Sequence, residues 1–307
     1  MTTIIRPKNH DEWLDLRKGG IGSSEVGSVL GVNPYETPYQ LWLRKTGRIA
    51  AKEQNMAMRL GHLMEGTVAQ LYEDATGNIV DTATEGDWCV KNEARPYTIA
   101  SPDRYCITPD GKTILLECKT TRKNVSEEST PMPWYCQVQY LLYCSGLDEG
   151  ALAWLKYGSE FGYKSINANP EFQEFMLERL DRFWTDCIIG DKAPAAISGG
   201  DVSLIYATSV AGKTIEADVE TLQKIAALKE KKEAAKALED EISGMEDEIK
   251  LYMRDADILT ANGETICTWK TGKGRATLDR KKLAAEHPEI IQEYTKAGTP
   301  VRTFLIK

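Results

Sequence analysis

Ser101-Pro102-Asp103-Arg104-Tyr105-Cys106-Ile107-Thr108-Pro109-Asp110-Gly111-Lys112-Thr113-Ile114-Leu115-Leu116-Glu117-Cys118-Lys119 reads as two β-rich runs, 104–107 and 113–119, joined at the turn Pro109-Asp110-Gly111. Asp103 and Glu117 stand fourteen positions apart, so folding the segment as a hairpin brings two acids and Lys119 to one end of it. Glu117 and Lys119 are two apart, and on a strand both side chains leave the same face. Two carboxylates offer hard oxygen ligands for Mg²⁺, which takes few protein ligands and keeps waters and phosphate oxygens in its other positions. A neighbouring lysine can orient or deprotonate an attacking water. The chemistry favoured is metal-assisted phosphodiester hydrolysis; a solvated strand face with alternating charges has the same pattern.

Outward from the hairpin, the chain alternates helical and strand signals. Asn9 to Arg17 reads as a capped helix ending near Gly19-Gly20; Ser23 or Ser24 can cap a second helix closed by Gly31; Thr37-Pro38 opens a third that Gly47 ends. From Asn55 to Gly77, Met56, Leu60, Leu63, Met64, Val68, Leu71 and Tyr72 follow the three-and-four spacing of a helix with one buried face. Short β-rich runs follow at 88–90 and 97–100 before the hairpin. A helix is predicted over 134–144, strands over 151–157 and 162–166, and a helix from Pro170 to about Ile189. The expected fold class is α/β, with a central mixed sheet flanked by helices and spanning residues 1–205.

Residues 206–307 read differently. Leu228, Ala235, Ile242 and Ile249 recur every seven residues, with Leu238, Met245 and Tyr252 between, so a long helix over about 216–255 is either a coiled-coil arm or an amphipathic helix packed on its own domain. Lys231 interrupts that seam and Gly244 weakens it. Asn262-Gly263 marks a hairpin, a helix broken near Pro288 spans about 279–296, and Val301 to Ile306 reads as a last strand, a small α+β tail in all.

The chain has 307 residues, 42% hydrophobic and 27% charged, and contains no apolar run long enough for a membrane span. The opening Met1 to Arg6 lacks a signal-peptide core, so a soluble cytoplasmic protein is expected. Seven cysteines without a Cys-x-x-Cys pair suggest buried thiols rather than a zinc or iron–sulfur site. The net charge of −8 opposes nonspecific coating of DNA, yet residues 213–252 hold eleven acids against seven lysines, half the imbalance in one segment. A local basic lining is all that DNA binding needs.

Five ordered blocks resemble the phage lambda exonuclease group, the YqaJ-like viral recombinases among the nucleases with an Asp…Glu-x-Lys core. They are Trp13-x-x-x-Arg17 with Gly22-Ser23-Ser24-Glu25-Val26; Gly61-His62-Leu63-Met64-Glu65; Ser101-Pro102-Asp103; Leu116-Glu117-Cys118-Lys119; and Gln137-Val138-Gln139-Tyr140. The resemblance implies a restriction-endonuclease-like core in which Asp103, Glu117 and the backbone carbonyl of Cys118 hold Mg²⁺, with Mn²⁺ able to substitute, and Glu65 helps bind a second metal or order a water. Lys119 would activate the water, its neutral form favoured near a metal, and Gln137 would support it; a solvated Glu65 and a polar helix face at Gln137 are the plain alternatives. It also implies a pocket for a terminal 5′-phosphate from Arg17, Ser24 and Ser101, and a strand-separating wedge at Met58, where core packing is the alternative. Arg104 stands where the best-known member has glycine, and the tail beyond 205 has no counterpart there.

The activity so implied is 5′-to-3′ exonuclease digestion of linear double-stranded DNA to mononucleotides, leaving a 3′ overhang for recombination by strand annealing. A homotrimer, DNA ends and a single-strand annealing protein are the implied partners, in a bacterial host carrying a phage or prophage. A structure-specific DNA endonuclease on the same core, or a non-catalytic recombination scaffold, are the alternatives. In the tail, Lys270, Lys273, Arg275, Arg280, Lys281 and Lys282 against Asp279 suggest DNA contact, and the acidic arm suggests protein contact.

Overall fold

The computed structural model of the chain describes residues 1–50, 55–81, 88–126, 128–274, 276–296, 298 and 301–306. They group into two compact units, Met1–Ile205 and Tyr206–Lys307.

The first unit opens with strand β1 (Thr2–Ile5) and helix α1 (His10–Lys18), whose first turn is capped by Asn9 Oδ1 accepting from the Glu12 N–H at 2.9 Å. Strand β2 (Ile21–Gly22) leads through one 3₁₀ turn, Ser23–Glu25, into the short helix α2 (Val26–Val29). The expected serine cap is replaced here: Gly22 takes the cap position, and the Glu25 carboxylate reaches back to accept from the Gly22 N–H at 2.8 Å. Helix α3 (Pro38–Lys45) starts on a reciprocal box in which Thr37 Oγ1 accepts from the Gln40 N–H and Gln40 Oε1 accepts from the Thr37 N–H. Helix α4 (Met56–Thr76) runs from the Asn55 cap to Gly77, whose φ of 72° is the left-handed stop.

Strands β3 (Ile79–Asp81), β4 (Cys89–Asn92), β5 (Thr98–Ile99), β6 (Arg104–Ile107) and β7 (Thr113–Thr121) precede helix α5 (Met132–Ser145), strands β8 (Glu149–Lys156) and β9 (Glu160–Asn167), and helix α6 (Pro170–Arg182). The predicted helix to Ile189 continues as a π-helical segment, Phe183–Ile189, and α7 (Gly199–Ile205) closes the unit. The central sheet has the order β3-β6-β7-β8-β9, with β7 and β8 parallel and every other pair antiparallel. This is the mixed sheet between helices that the α/β reading anticipates.

Alternation along β7 sorts its side chains to two cores. Ile114, Leu116 and Cys118 pack with Val68, Ala69 and Tyr72 of α4; Leu115 packs in the cluster containing Val138, Leu141 and Leu142 of α5. Glu117 and Lys119 share the parity of Leu115 and therefore lie on the α5 side. β2 and β5 form a separate parallel pair, Ile21 opposite Thr98 and Gly22 opposite Ile99. Tyr140, fully buried on α5, ties that pair down: its hydroxyl donates to Ile21 O at 2.7 Å and accepts from the Ile99 N–H at 3.3 Å.

The stripe expected to be buried along α4 is divided. Val68, Ala69 and Tyr72 are buried, whereas Met56, Met58, Leu60 and Leu63 in the first half of the helix are 42–74% exposed. Helical spacing continues past the point where the sheet stops covering it.

In the second unit, helix α8 (Val219–Met253) is 35 residues long and starts on Asp218 Oδ1, which accepts from the Thr221 N–H. β10 (Ile258–Ala261) and β11 (Glu264–Thr268) meet at Asn262 and Gly263, with φ of 51° and 85°, the double positive-φ turn that Asn-Gly favours. Helices α9 (Arg280–Glu286) and α10 (Pro288–Tyr294) are separated at Pro288. Val301 to Ile306 forms no strand, a correction to the sequence reading, and Arg275 lies outside the described residues. Among the described residues no helix is long and apolar enough to cross a membrane.

Replacing Tyr140 with phenylalanine removes the hydroxyl's bonds to Ile21 O and the Ile99 N–H but leaves the β2–β5 pairing between those two groups, so Tyr140→Phe should lower the unfolding free energy by about 0.5–1.5 kcal/mol. Urea denaturation of the two proteins measures it; an unchanged midpoint would show that the hydroxyl contributes nothing to stability.

Candidate active site

Glu117, on the central strand β7, is 1% exposed. Its Oε1 receives Lys119 Nζ at 2.5 Å and Gln137 Nε2 at 2.5 Å, while Gln137 Oε1 accepts from the same ammonium at 3.0 Å. The strand parity that puts 117 and 119 on the α5 face thus meets a glutamine one turn into α5, and the three side chains close a ring. Asp103 arrives from the residue before β6; its Oδ2 accepts the Cys118 N–H at 2.7 Å. Glu65 comes from α4, half-buried, with Oε1 2.9 Å from His62 Nδ1. His62 therefore has a local partner that the sequence did not assign. The Cys118 side chain points into the α4 core and is buried.

Electrostatically the cluster holds too much negative charge. Burial pushes the Glu117 carboxyl up to about 8, the Asp103 charge pushes the same way, and Lys119 opposes them. Burial also raises Asp103, against Lys119, the Cys118 N–H and Arg104, and it raises Glu65 together with the Asp103 charge. Burial alone would favour neutral Lys119, but Glu117 and Asp103 outweigh it and hold the proton on Nζ. The neutral lysine expected beside a metal is not the metal-free state.

Glu117 Oε2 is a buried oxygen without a hydrogen-bond partner among the described residues. An orphaned carboxylate oxygen beside a second carboxylate fits a hard divalent cation, since buried polar atoms are otherwise nearly always paired. Among the described residues, though, no three His, Cys, Asp or Glu side chains converge as a ready cage. A cation held here would have two carboxylates, Asp103 and Glu117, as its side-chain ligands.

A second cluster forms around α1 and the β2 turn. Arg17 Nη2 donates to Ser24 Oγ at 3.3 Å, and the guanidinium lies over the Trp13 ring, 4.6 Å from its centroid. A Cβ on Gly22 would come within 3.2 Å of Arg17 Nη2, so that glycine leaves room for the guanidinium. The parallel β2–β5 register sends Ser24 and Ser101 off the same end of the strand pair, and Ser101 precedes Asp103 by two residues. Arg17 and Ser24 are in contact, and Ser101 lies on the segment that leads from β5 to Asp103. Met58, in the first turn of α4, is 42% exposed rather than packed in the core.

Beneath the β2 turn lies a buried ion network that sequence reading passed over. Glu25 Oε2 is 2.7 Å from Lys45 Nζ and its Oε1 is 3.0 Å from Arg44, with Glu25 and Lys45 side chains 7% and 5% exposed. Lys45 also donates to the carbonyls of Arg17 and Gly20, at 2.8 and 2.5 Å, and Arg44 pairs with Glu36 at 2.8 Å. The network therefore clamps the end of α1 to the start of β2. Glu25 stands in the quoted Gly22-Ser23-Ser24-Glu25 block, but its partners lie about twenty positions away and no local period reveals them. The Trp13–Arg17 contact was legible, because residues four apart share a helix face.

Residues 12–148 match the YqaJ-like viral recombinase domain. Uncharacterized protein YqaJ of Bacillus subtilis (strain 168) is 30% identical over 311 residues, covering 97% of this chain and 94% of the relative. The chain belongs to the YqaJ-like viral recombinase family. Arg17, Ser24, Met58, Glu65, Ser101, Asp103, Glu117, Cys118, Lys119 and Gln137 all fall inside the matched recombinase domain. Among solved structures, the alkaline exonuclease LHK-Exo from Laribacter hongkongensis has a TM-score of 0.47 at 18% identity, over 59% of this chain and 93% of that one. A phage related exonuclease from Haemophilus somnus 129PT has a TM-score of 0.40 at 12% identity, over 56% and 96% of the two chains.

Breaking the buried network from one side leaves an ammonium without its carboxylate, so Glu25→Ala should cost about 3–5 kcal/mol of stability. Burial raises the Glu25 carboxyl, but Lys45 and Arg44 outweigh it and hold it below the usual carboxylate range. Its contribution is then complete above the ordinary carboxylate pKa and is lost as pH falls through the lower folded value. Chemical denaturation across that acid range should show a shallower pH slope in Glu25→Ala than in wild type; parallel slopes would refute the linkage.

Proposed function

We propose that this recombinase-family chain is a divalent-metal-dependent nuclease of the lambda exonuclease kind, with residues 1–205 as its nuclease core. The observation that carries the reading is the buried Glu117 carboxylate, one oxygen bonded by Lys119 and Gln137 and the other unpartnered among the described residues, next to Asp103. Asp103, Glu117 and the Cys118 backbone carbonyl would hold Mg²⁺ or Mn²⁺, with Glu65 at the margin. The metal's contribution is to stabilise charge on the scissile phosphate and lower the pKa of a bound water. The chain's own residues do the positioning: Lys119 orients the attacking water through its ammonium donors, Gln137 fixes Lys119, and the Cys118 N–H fixes the Asp103 carboxylate.

In the finer reading the substrate is linear double-stranded DNA, degraded 5′ to 3′ to mononucleotides, with the 3′ overhang passed to a single-strand annealing protein. Arg17 supports this polarity. A guanidinium held over the Trp13 ring, with Ser24 beside it, is suited to grip a terminal phosphate through paired donors. Met58, exposed near the start of α4, is suited to part the strands at the duplex end, and assembly of the core as a homotrimer would enclose the DNA.

Asp103→Ala, Glu117→Ala and Lys119→Ala should each abolish Mg²⁺-dependent digestion of linear duplex while duplex binding, read by gel shift, survives. Full activity in any of the three would remove that residue from the site. Taking the 5′-phosphate off the substrate should slow wild type by about tenfold or more, the loss of about 1.4 kcal/mol, but leave Arg17→Ala nearly indifferent. Equal slowing of the two enzymes would reject the phosphate pocket.

A further inference from the structure

The mechanism leaves helix α8 unused. Leu228, Leu238, Ile242, Met245, Ile249 and Tyr252 form its heptad stripe and are all between 37% and 77% exposed. A stripe of that regularity on a single helix is a seam that lacks its other half. Charge along α8 is also unevenly spread. From Val219 to Lys236 there are five lysines and three acids; from Ala237 to Met253 there are six acids and one lysine.

These two facts restrict the partner. In a parallel pair of α8 helices, Lys231 would face Lys231 within the seam, and Glu241 would flank Glu246 on both sides of it; both contacts are repulsive. Turning one copy end for end about Asp240 removes them. Lys231 then lies opposite Ile249, Ala235 opposite Met245, and Leu238 opposite Ile242, so a small residue meets a large one and the lysine stem covers an isoleucine. Lys232 comes to face Glu246 beside the seam, basic half against acidic half. Glu239 and Glu241 approach their counterparts at the centre, which limits the strength of the pairing and makes it dissociable.

We propose that α8 is a self-association arm: the stripe of one copy pairs antiparallel with the stripe of a second copy, in a two-fold contact centred on Asp240. The contact is independent of the nuclease reading and doubles whatever assembly the core forms.

Light scattering on the full chain over a dilution series tests it. Wild type should reach about twice the mass of Leu238→Glu/Ile242→Glu, with helix content of the variant checked by circular dichroism. Lys231→Glu/Lys232→Glu should also halve the mass, and adding Glu246→Lys/Glu248→Lys to it should restore the doubling, since the charges are then exchanged end for end. Equal masses for wild type and Leu238→Glu/Ile242→Glu overturn the proposal: with a lowered melting temperature in the variant, the stripe is covered by its own chain, and with an unchanged one it awaits another protein. Halving without rescue by the exchanged charges overturns the antiparallel pairing.

Discussion

The site depends on burying a carboxylate under a helix. Glu117 sits on the middle strand of a mixed sheet, where neighbours on both sides and α5 above leave it almost no water. Lys119 and Gln137 are the groups that favour a charge in that position, against burial and Asp103, and both of their bonds fall on one oxygen. The other oxygen, with Asp103 and Glu65 pushed upward beside it, leaves the cluster short of positive charge. Everything else in the first unit serves to hold that arrangement: the parallel β7–β8 pairing sets the depth of Glu117, α5 supplies the glutamine, and the β6–β7 turn returns Asp103 to the Cys118 N–H.

The second cluster is supported by a different device. Arg17 is set by an aromatic face and a serine, and the chain between them is fixed from below by Lys45 donating to the carbonyls of Arg17 and Gly20. A buried ion pair is a poor source of net stability, because desolvation offsets most of the attraction. Its value here is geometric: it fixes where α1 ends relative to β2, and hence where Arg17 and Ser24 stand. Tyr140 joins the two clusters, since α5 carries Gln137 toward Glu117 and, one turn on, the hydroxyl that holds β2 and β5.

Much of this was legible in the sequence wherever local rules decide it. Asn9, Thr37, Asn55 and Asp218 cap the helices they precede, Gly77 and Gly146 stop theirs, Asn262-Gly263 makes its turn, and the period of two along 115–119 put Glu117 and Lys119 on one face. What was missed depends on distant partners. β1, β2 and β3 are two to four residues long and form by pairing with segments far along the chain, so no periodicity marks them. The first half of α4 keeps its apolar spacing while no surface among the described residues buries it, and spacing alone cannot report that. Val301 to Ile306 has strand-like composition but no strand beside it among the described residues. The Glu25 network joins the 3₁₀ turn before α2 to α3 and the end of α1, a meeting fixed by tertiary packing alone.

The central claim is that the orphaned oxygen of Glu117 belongs to a divalent-metal site. Titration of the DNA-free, full-length protein with Mn²⁺, followed by the electron paramagnetic resonance of the free ion, tests it without any substrate. Wild type should bind Mn²⁺, and Glu117→Gln, which keeps the shape and removes the charge, should lose most of that affinity. Equal binding by the two proteins would contradict the account.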